Sequence, residues 1–336
     1  MASSFSGANK RELVDGIEVV RLGGIHSLWF RTFLYYMLHC RGRYDVVVTE
    51  GFGGSRIPRL APLYARGPII TSWHQIHRDL FFAQYPRLLA GPLNLFERMT
   101  AWVHRDTWVQ AYTYEWKEAF PSIGFKPEKV FVVPVSIRDE WLVESNGHKR
   151  AMDTILWIGK FRRYKCPDHA ILAMAEIVKQ LPGTHLVLIG RHDDLAYEGQ
   201  LRKLVRDLGL EQNVDFRLDV SELEKRDLLE EASLLLLTSA VEGFGIVVLE
   251  ANSCSVPVIA STGVPEGAVR DGVNGLRYKF GDTKILASTV VQVLKDDRLY
   301  SKLADNSLRT VREFAWSRVG PQFERVILEM LSESVR

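Results

Sequence analysis

In a chain of 336 residues, two carboxylates, Glu242 and Glu250, bracket the turn Gly243-Phe244-Gly245-Ile246. A turn with little side-chain bulk ahead of a helix leaves free N–H groups at Phe244, Gly245 and Ile246, and those donors, with the helix dipole, suit an anion. The carboxylates suit neutral hydroxyls. A site with both would take a molecule carrying anionic oxygens and hydroxyls together, as a sugar nucleotide does. The plain alternative is a glycine turn that only joins strand to helix, with Glu250 an ordinary surface glutamate. Yet a carboxylate inside so apolar a run as 246–251 needs a partner or access to water.

A second cluster is Ile158-Gly159-Lys160-Phe161-Arg162-Arg163-Tyr164-Lys165. Its four cations follow a strand and a glycine, where they could neutralise a diphosphate without a metal; a solvated basic loop is the alternative. In Trp73-His74-Gln75-Ile76-His77, the two histidines could ligate a metal, but three-residue spacing with no further ligand nearby argues weakly for one. Gly51-Phe52-Gly53-Gly54 follows a strand as a phosphate loop would, yet Pro58 arrives before a helix can start, so a flexible loop reads equally.

These residues need elements to carry them. Unbroken apolar runs predict buried strands over 154–158, 185–189, 215–218, 234–237 and 257–260, alternating with helices over 168–180, 195–208, 221–231 and 246–252. Such alternation predicts a doubly wound parallel sheet, which binds ligands beyond the carboxyl ends of its strands. Further helices are expected over 284–295, 299–314 and 322–331. Earlier in the chain, strands are expected over 17–22, 44–49, 68–72, 107–111 and 129–135, and helices over 27–40 and 115–120. The stretch 80–107 mixes aromatic and aliphatic residues with arginines, and Gly91-Pro92 is expected to divide it. Interior packing is its leading reading, a membrane-surface helix the other. The polar stretch 144–151 marks a linker.

Net charge is +2, which excludes a strongly basic nucleic-acid binder. Three scattered cysteines, Cys40, Cys166 and Cys254, without C-x-x-C spacing, argue against zinc and a disulfide framework. No D-x-D occurs, no apolar run approaches a membrane span, and no secretion signal opens the chain, so no metal and a cytoplasmic location are expected.

The segment EGFGIVVLEANSCSVPVIAS, continued by VPEGAVRDGVNGLRYKFGD, resembles the E-x7-E region of the family 4 retaining glycosyltransferases. The resemblance implies the two-domain GT-B fold: two Rossmann-like doubly wound domains. Here they would span 1–146, on the acceptor side and abbreviated, and 150–314, binding the nucleotide sugar. A helix over 315–336 would cross back, after the turn Ala315-Trp316-Ser317. It further implies that Glu250 binds the ribose and Glu242 the transferred sugar, with the amides at Phe244 and Gly245 facing the sugar and diphosphate. Lys160 and Lys165, in the loop opened by Gly159, would hold the diphosphate, and His74 would touch the sugar. The implied donor is a UDP- or GDP-sugar, with no cofactor; the acceptor is a sugar or lipid-linked hydroxyl, with peripheral contact at the inner membrane face among the readings.

The chain departs from the family at several positions. Lysine replaces arginine at 160, which gives up bidentate contact, although Arg162 or Arg163 could compensate. Cys166-Pro167 and Ser255 stand where the family has glycine, and Tyr112 to Glu115 where it carries serines. The family's opening strand and glycine loop have no counterpart before Asp15, which leaves three explanations: a truncated frame, a rearranged domain, or a partner chain that supplies the element. In that last case the protein would be a nucleotide-sugar-binding subunit, inactive alone. An epimerase or phosphorylase on the same fold is the remaining reading.

Overall fold

The computed structural model describes residues 1–24, 27–52, 60–142, 154–191 and 193–334. The 144–151 stretch and the glycines at 53 and 54 lie outside the described residues. Two compact units form. Met1–Phe81, Pro86–Val133 and Phe323–Arg336 make the first, and Phe82–Tyr85 with Pro134–Gln322 the second. The division falls at Pro134, ahead of the polar stretch. Residues just after it are already tied to the second unit, where Ile137 N–H donates to Phe314 C=O (2.9 Å) and Trp316 N–H to Ile137 C=O (3.0 Å).

The first unit begins with a hairpin of β1 (Arg11–Val14) and β2 (Ile17–Val20), an antiparallel sheet of two strands only. Asp15 and Gly16 join them, both at positive φ (49° and 80°), as a tight two-residue hairpin turn requires. The opening residues are therefore more ordered than their composition suggests. Helix α1 (Leu28–Tyr35) follows, then β3 (Val47–Glu50) and β4 (Ile69–Ser72). Next come α2 (Arg78–Gln84), α3 (Arg87–Val103), β5 (Trp108–Ala111), α4 (Tyr114–Ala119) and β6 (Val130–Val132). Strands β3 to β6 form one parallel sheet in chain order, so β3 stands at its edge.

Pro92 does not divide α3, contrary to the sequence reading; the break falls between α2 and α3, ahead of Pro86. Proline removes one donor, leaving the Leu88 carbonyl without its helical partner. Leu88 and Pro92 both face solvent, so that carbonyl is left on the open side of the helix.

The second unit alternates strands and helices: β7 (Thr154–Ile158), α5 (Pro167–Ile177), β8 (His185–Gly190), α6 (Leu195–Asp207), β9 (Val214–Leu218) and α7 (Glu222–Glu231). Then follow β10 (Leu234–Leu237), α8 (Ile246–Ser253), β11 (Val258–Ser261), β12 (Gly275–Tyr278), α9 (Thr283–Lys295) and α10 (Asp297–Val311). Side-chain caps open several helices. Asp194 accepts from Tyr197 N–H (3.0 Å), Ser221 from Glu224 N–H (3.1 Å) and Asp282 from Ile285 N–H (3.0 Å). All six strands are parallel, in the order β12-β11-β10-β7-β8-β9. The chain winds outward from β7 in one direction and then from β10 in the other, so the topological switch point lies between these two strands. Trp157, Phe161, Met174, Ile177 and Leu188 belong to the core that covers this sheet. A last helix, α11 (Trp316–Ser334), starts in the second unit, and its later residues group with the first, where the Phe323 ring lies 6.5 Å from that of Phe131.

Candidate active site

The loops after β7 and β10 meet at the carboxyl edge of the switch point, and their backbones are laced together. The Thr238 hydroxyl lies 2.9 Å from the Lys165 carbonyl and 2.7 Å from that of Cys166, and accepts from Trp157 Nε1 at 3.0 Å. Ala240 N–H donates to Tyr164 C=O (2.7 Å), and Glu242 N–H to Gly263 C=O (3.0 Å). Position 263 admits no side chain, because a Cβ there would stand 2.2 Å from the Ala240 carbonyl oxygen. Together these bonds fix three loop backbones before any ligand arrives.

On that frame the Lys165 ammonium meets the Glu242 carboxylate in a direct ion pair. Ser239 Oγ donates to the same carboxylate oxygen at 2.8 Å. Burial works against the charged form of Lys165, but the facing Glu242 outweighs it, so the lysine's pKa stands above its ordinary value. The lysine thus stays protonated at a half-dry strand edge, with Glu242 as its counter-ion.

Gly245 caps α8 at φ +95°, a left-handed conformation that glycine adopts without strain. No side chain caps that helix N-terminus. Phe244 is buried against Phe314 (5.3 Å between ring centroids), and this anchors the turn. Val248, Leu249, Ala251, Asn252 and Ser253 are buried, as so apolar a run predicts, while Ile246 is exposed at the helix entrance. Glu250 has the partner its surroundings demanded. Lys225 Nζ on α7 sits 2.9 Å from Oε1 and also 2.8 Å from Glu222. Burial disfavours charge on Lys225, yet its bonds to Glu222 and Glu250 raise its pKa. The other oxygen, Glu250 Oε2, is buried with no hydrogen-bond partner.

The basic loop separates into parts. Lys160 is exposed, and Gly159 N–H donates to Ile189 C=O (2.9 Å). The arginines point along α6 instead. Arg162 pairs with Asp193, and Arg163 donates to Gln200 Oε1 (2.9 Å) with its guanidinium 4.8 Å from the Tyr197 ring centroid. Both non-glycine replacements sit where glycine would be relaxed: Cys166 at φ 48° and Ser255 at φ 58°. Burial pushes the Cys166 thiol up to about 12 and the Cys254 thiol up to about 11, and Cys40 is buried as well.

His74 lies in the first unit, directly after β4. Its ring stacks on Tyr112 at 4.9 Å, and burial lowers its pKa, with Glu50 opposing and His77 assisting, so the imidazole is neutral near pH 7. His77 is a structural residue: its Nδ1 and backbone N–H both meet the fully buried Glu97, at 2.8 and 2.9 Å. Among the described residues no group of three or more His, Cys, Asp or Glu could hold a metal ion. Sequence reasoning did not single out Ser239, Lys225, Gly263 or the stacking role of Tyr112. Lys225 stands on a charge-rich helix three residues from Glu222, and nothing in its local sequence separates it from a solvated lysine.

Two units, each with a parallel sheet covered by helices, have the α/β architecture of the GT-B class. The chain belongs to the glycosyl transferases group 1 family, whose model matches residues 140–310. It is 30% identical over 199 residues to the N-acetyl-alpha-D-glucosaminyl L-malate synthase of Bacillus anthracis, matching 57% of this chain and 49% of that protein. To a D-inositol 3-phosphate glycosyltransferase of Streptomyces bingchenggensis it is 27% identical, over 87% of this chain and 68% of the relative. The chain spans about half the length of the Bacillus protein. Its fold matches the crystal structure of Anabaena Alr3699/HepE in complex with UDP and glucose (TM-score 0.77, 18% identity, 94% of this chain and 87% of that one). It also matches sucrose-phosphate synthase of Thermosynechococcus elongatus (TM-score 0.81, 17% identity, 99% and 88%).

Proposed function

We propose that the protein is a retaining glycosyltransferase that moves a hexose from a UDP- or GDP-sugar to a hydroxyl acceptor. The observation that carries this reading is the Lys165–Glu242 pair on loops that flank the switch point. When the glycosidic bond to the nucleotide breaks, negative charge grows on the diphosphate. A lysine kept protonated at the strand edge stabilises that charge with little reorganisation, and the uncapped N-terminus of α8, through the amides at Phe244 and Gly245, adds to it. Lys160 supplies the second, exposed cation. Glu250 accepts the ribose hydroxyls, and Glu242 accepts from the transferred sugar. The leaving diphosphate receives the acceptor's proton, which accounts for reaction on one face of the sugar. His74, neutral at pH 7, suits a hydroxyl rather than an anion.

Calorimetric titration with UDP, GDP, UDP-glucose and GDP-mannose tests the reading. One nucleotide should bind saturably, and Glu250→Ala should weaken it at least tenfold, about 1.4 kcal/mol. Lys225 keeps Glu222 in that variant, so no bare cation is left behind. Lys165→Ala should lower turnover by about 100-fold. Turnover within about threefold of the parent, under ~1 kcal/mol, removes Lys165 from the mechanism.

A further inference from the structure

Helix α3 is turned the wrong way round for a soluble protein. Its apolar side chains at 88, 92, 95, 99 and 102 recur every three or four residues, which places them on one face. That face points outward: Leu88 is 89% exposed, Leu95 59%, Met99 56% and Trp102 59%. Leu89 and Phe96 widen it. The inward face is formed by Ala90, Glu97, Thr100 and Ala101. Interior packing, the leading reading from sequence for 80–107, holds at Leu80 and Phe81 on α2 and is corrected on α3, where the small and polar residues pack and most of the large apolar ones do not. Beside Met99 and Trp102 the stripe continues into a furrow of about 480 Å³, closed on its far side by residues 121–124.

Charge distinguishes what covers this face. The one acid of α3, Glu97, is fully buried beneath His77, so the helix shows solvent no carboxylate. Its exposed charges are Arg87 and Arg98, spaced to fall along one flank of the stripe. Arg105 follows, its guanidinium 4.7 Å from the Trp102 ring centroid and 3.4 Å from the Asp106 carboxylate, which Lys126 also pairs. A stripe of apolar residues edged by guanidiniums, with an indole at its end, matches the boundary of an anionic bilayer, where acyl chains take the one and phosphates the other. No helix among the described residues is long and apolar enough to cross a membrane, and α3, at 17 residues and ~25 Å, would lie along the surface.

We propose that the outer face of α3 docks the protein onto an anionic lipid surface. The inference goes beyond the proposed transferase activity and is tested without it. The full chain is sedimented with vesicles of phosphatidylcholine alone or with about one-third phosphatidylglycerol, in the absence of nucleotide sugar. Binding is expected to the anionic vesicles, and to fall at least tenfold in Leu95→Glu/Met99→Glu. Arg87→Glu/Arg98→Glu should also weaken it, and added salt should weaken the parent more than that variant. Leu195→Glu, at an exposed leucine of the second unit, should bind as the parent does. Circular dichroism and the nucleotide titration keep folding and donor binding separate from docking.

Equal binding to both vesicle types, or unchanged binding of the α3 variants, overturns the proposal. So does a parent that ignores vesicles but self-associates through a contact that Leu95→Glu/Met99→Glu dissolves, which would assign the face to a second copy.

Discussion

Helices α3 and α8 are both rich in large apolar side chains, and the protein uses them oppositely. α8 has no polar face, and Val248, Leu249 and Ala251 vanish into the second unit, leaving Glu250 as a carboxylate that needs Lys225. α3 has a distinct polar side, and that side is the buried one, with Glu97 spent on His77. Burial of an acid therefore marks different things in the two units. In the second it leaves one carboxylate oxygen, Glu250 Oε2, without a hydrogen-bond partner; in the first it ties α3 to the residues just ahead of α2.

The sharpest way to break the contrast is truncation. Leu249→Ala should cost about 2–5 kcal/mol in chemical denaturation, because a fully buried leucine leaves a cavity. Leu95→Ala on α3 should stay within about 0.5 kcal/mol. Comparable losses at the two positions would show that the face of α3 is covered after all.

Titration separates the units next. His74 has a folded pKa below its ordinary value, so the unfolded chain binds the proton more readily. Its contribution is complete above about pH 6.5 and is lost as pH falls below that. Lys165 is shifted the other way. Its contribution is complete below about pH 10.4 and is lost as pH rises past it. Hydrogen exchange read by mass spectrometry should show residues 69–111 loosening first on the acid side and the 159–166 and 238–245 loops on the alkaline side. Loosening in the reverse order would refute both assignments.

The smallest effect concerns the left-handed positions. Ser255→Gly should stabilise the second unit by about 1 kcal/mol, since serine at φ 58° carries a strain that glycine does not. Cys166→Gly should come out near zero. Relief of the same strain is there offset by loss of a buried thiol that donates to Arg163 C=O at 3.0 Å. A thermal melt of each variant decides the matter.

What could be read from the chain follows from the range of the forces involved. Strands β7 and β10 are short, unbroken apolar runs, and their predicted limits match the structure. β12 went unassigned because Gly275-Leu276-Arg277-Tyr278, at the edge of the sheet, carries too little apolar character to signal burial. The hairpin of β1 and β2 was not read from the chain, although Asp15-Gly16 is a turn pair, because its first strand is nearly all exposed and gives no apolar run. In the candidate site the residue types were legible and the pairings were not. Lys165 and Glu242 stand 77 positions apart, and only the parallel order of β7 and β10 brings them together. The 25 positions between Lys225 and Glu250 hide their bond in the same way. The reading of α3 failed for a different reason: periodicity reports that a helix has two faces and is silent about which one turns inward.

The three cysteines carry a practical consequence. All are buried, and two of the thiols are pushed far above neutral pH, so the native chain offers little thiolate to an alkylating reagent. A single cysteine placed on the open face of α3 would stand out chemically, and a fluorophore or spin label attached there would report on that one helix with no need to strip the protein of its own thiols.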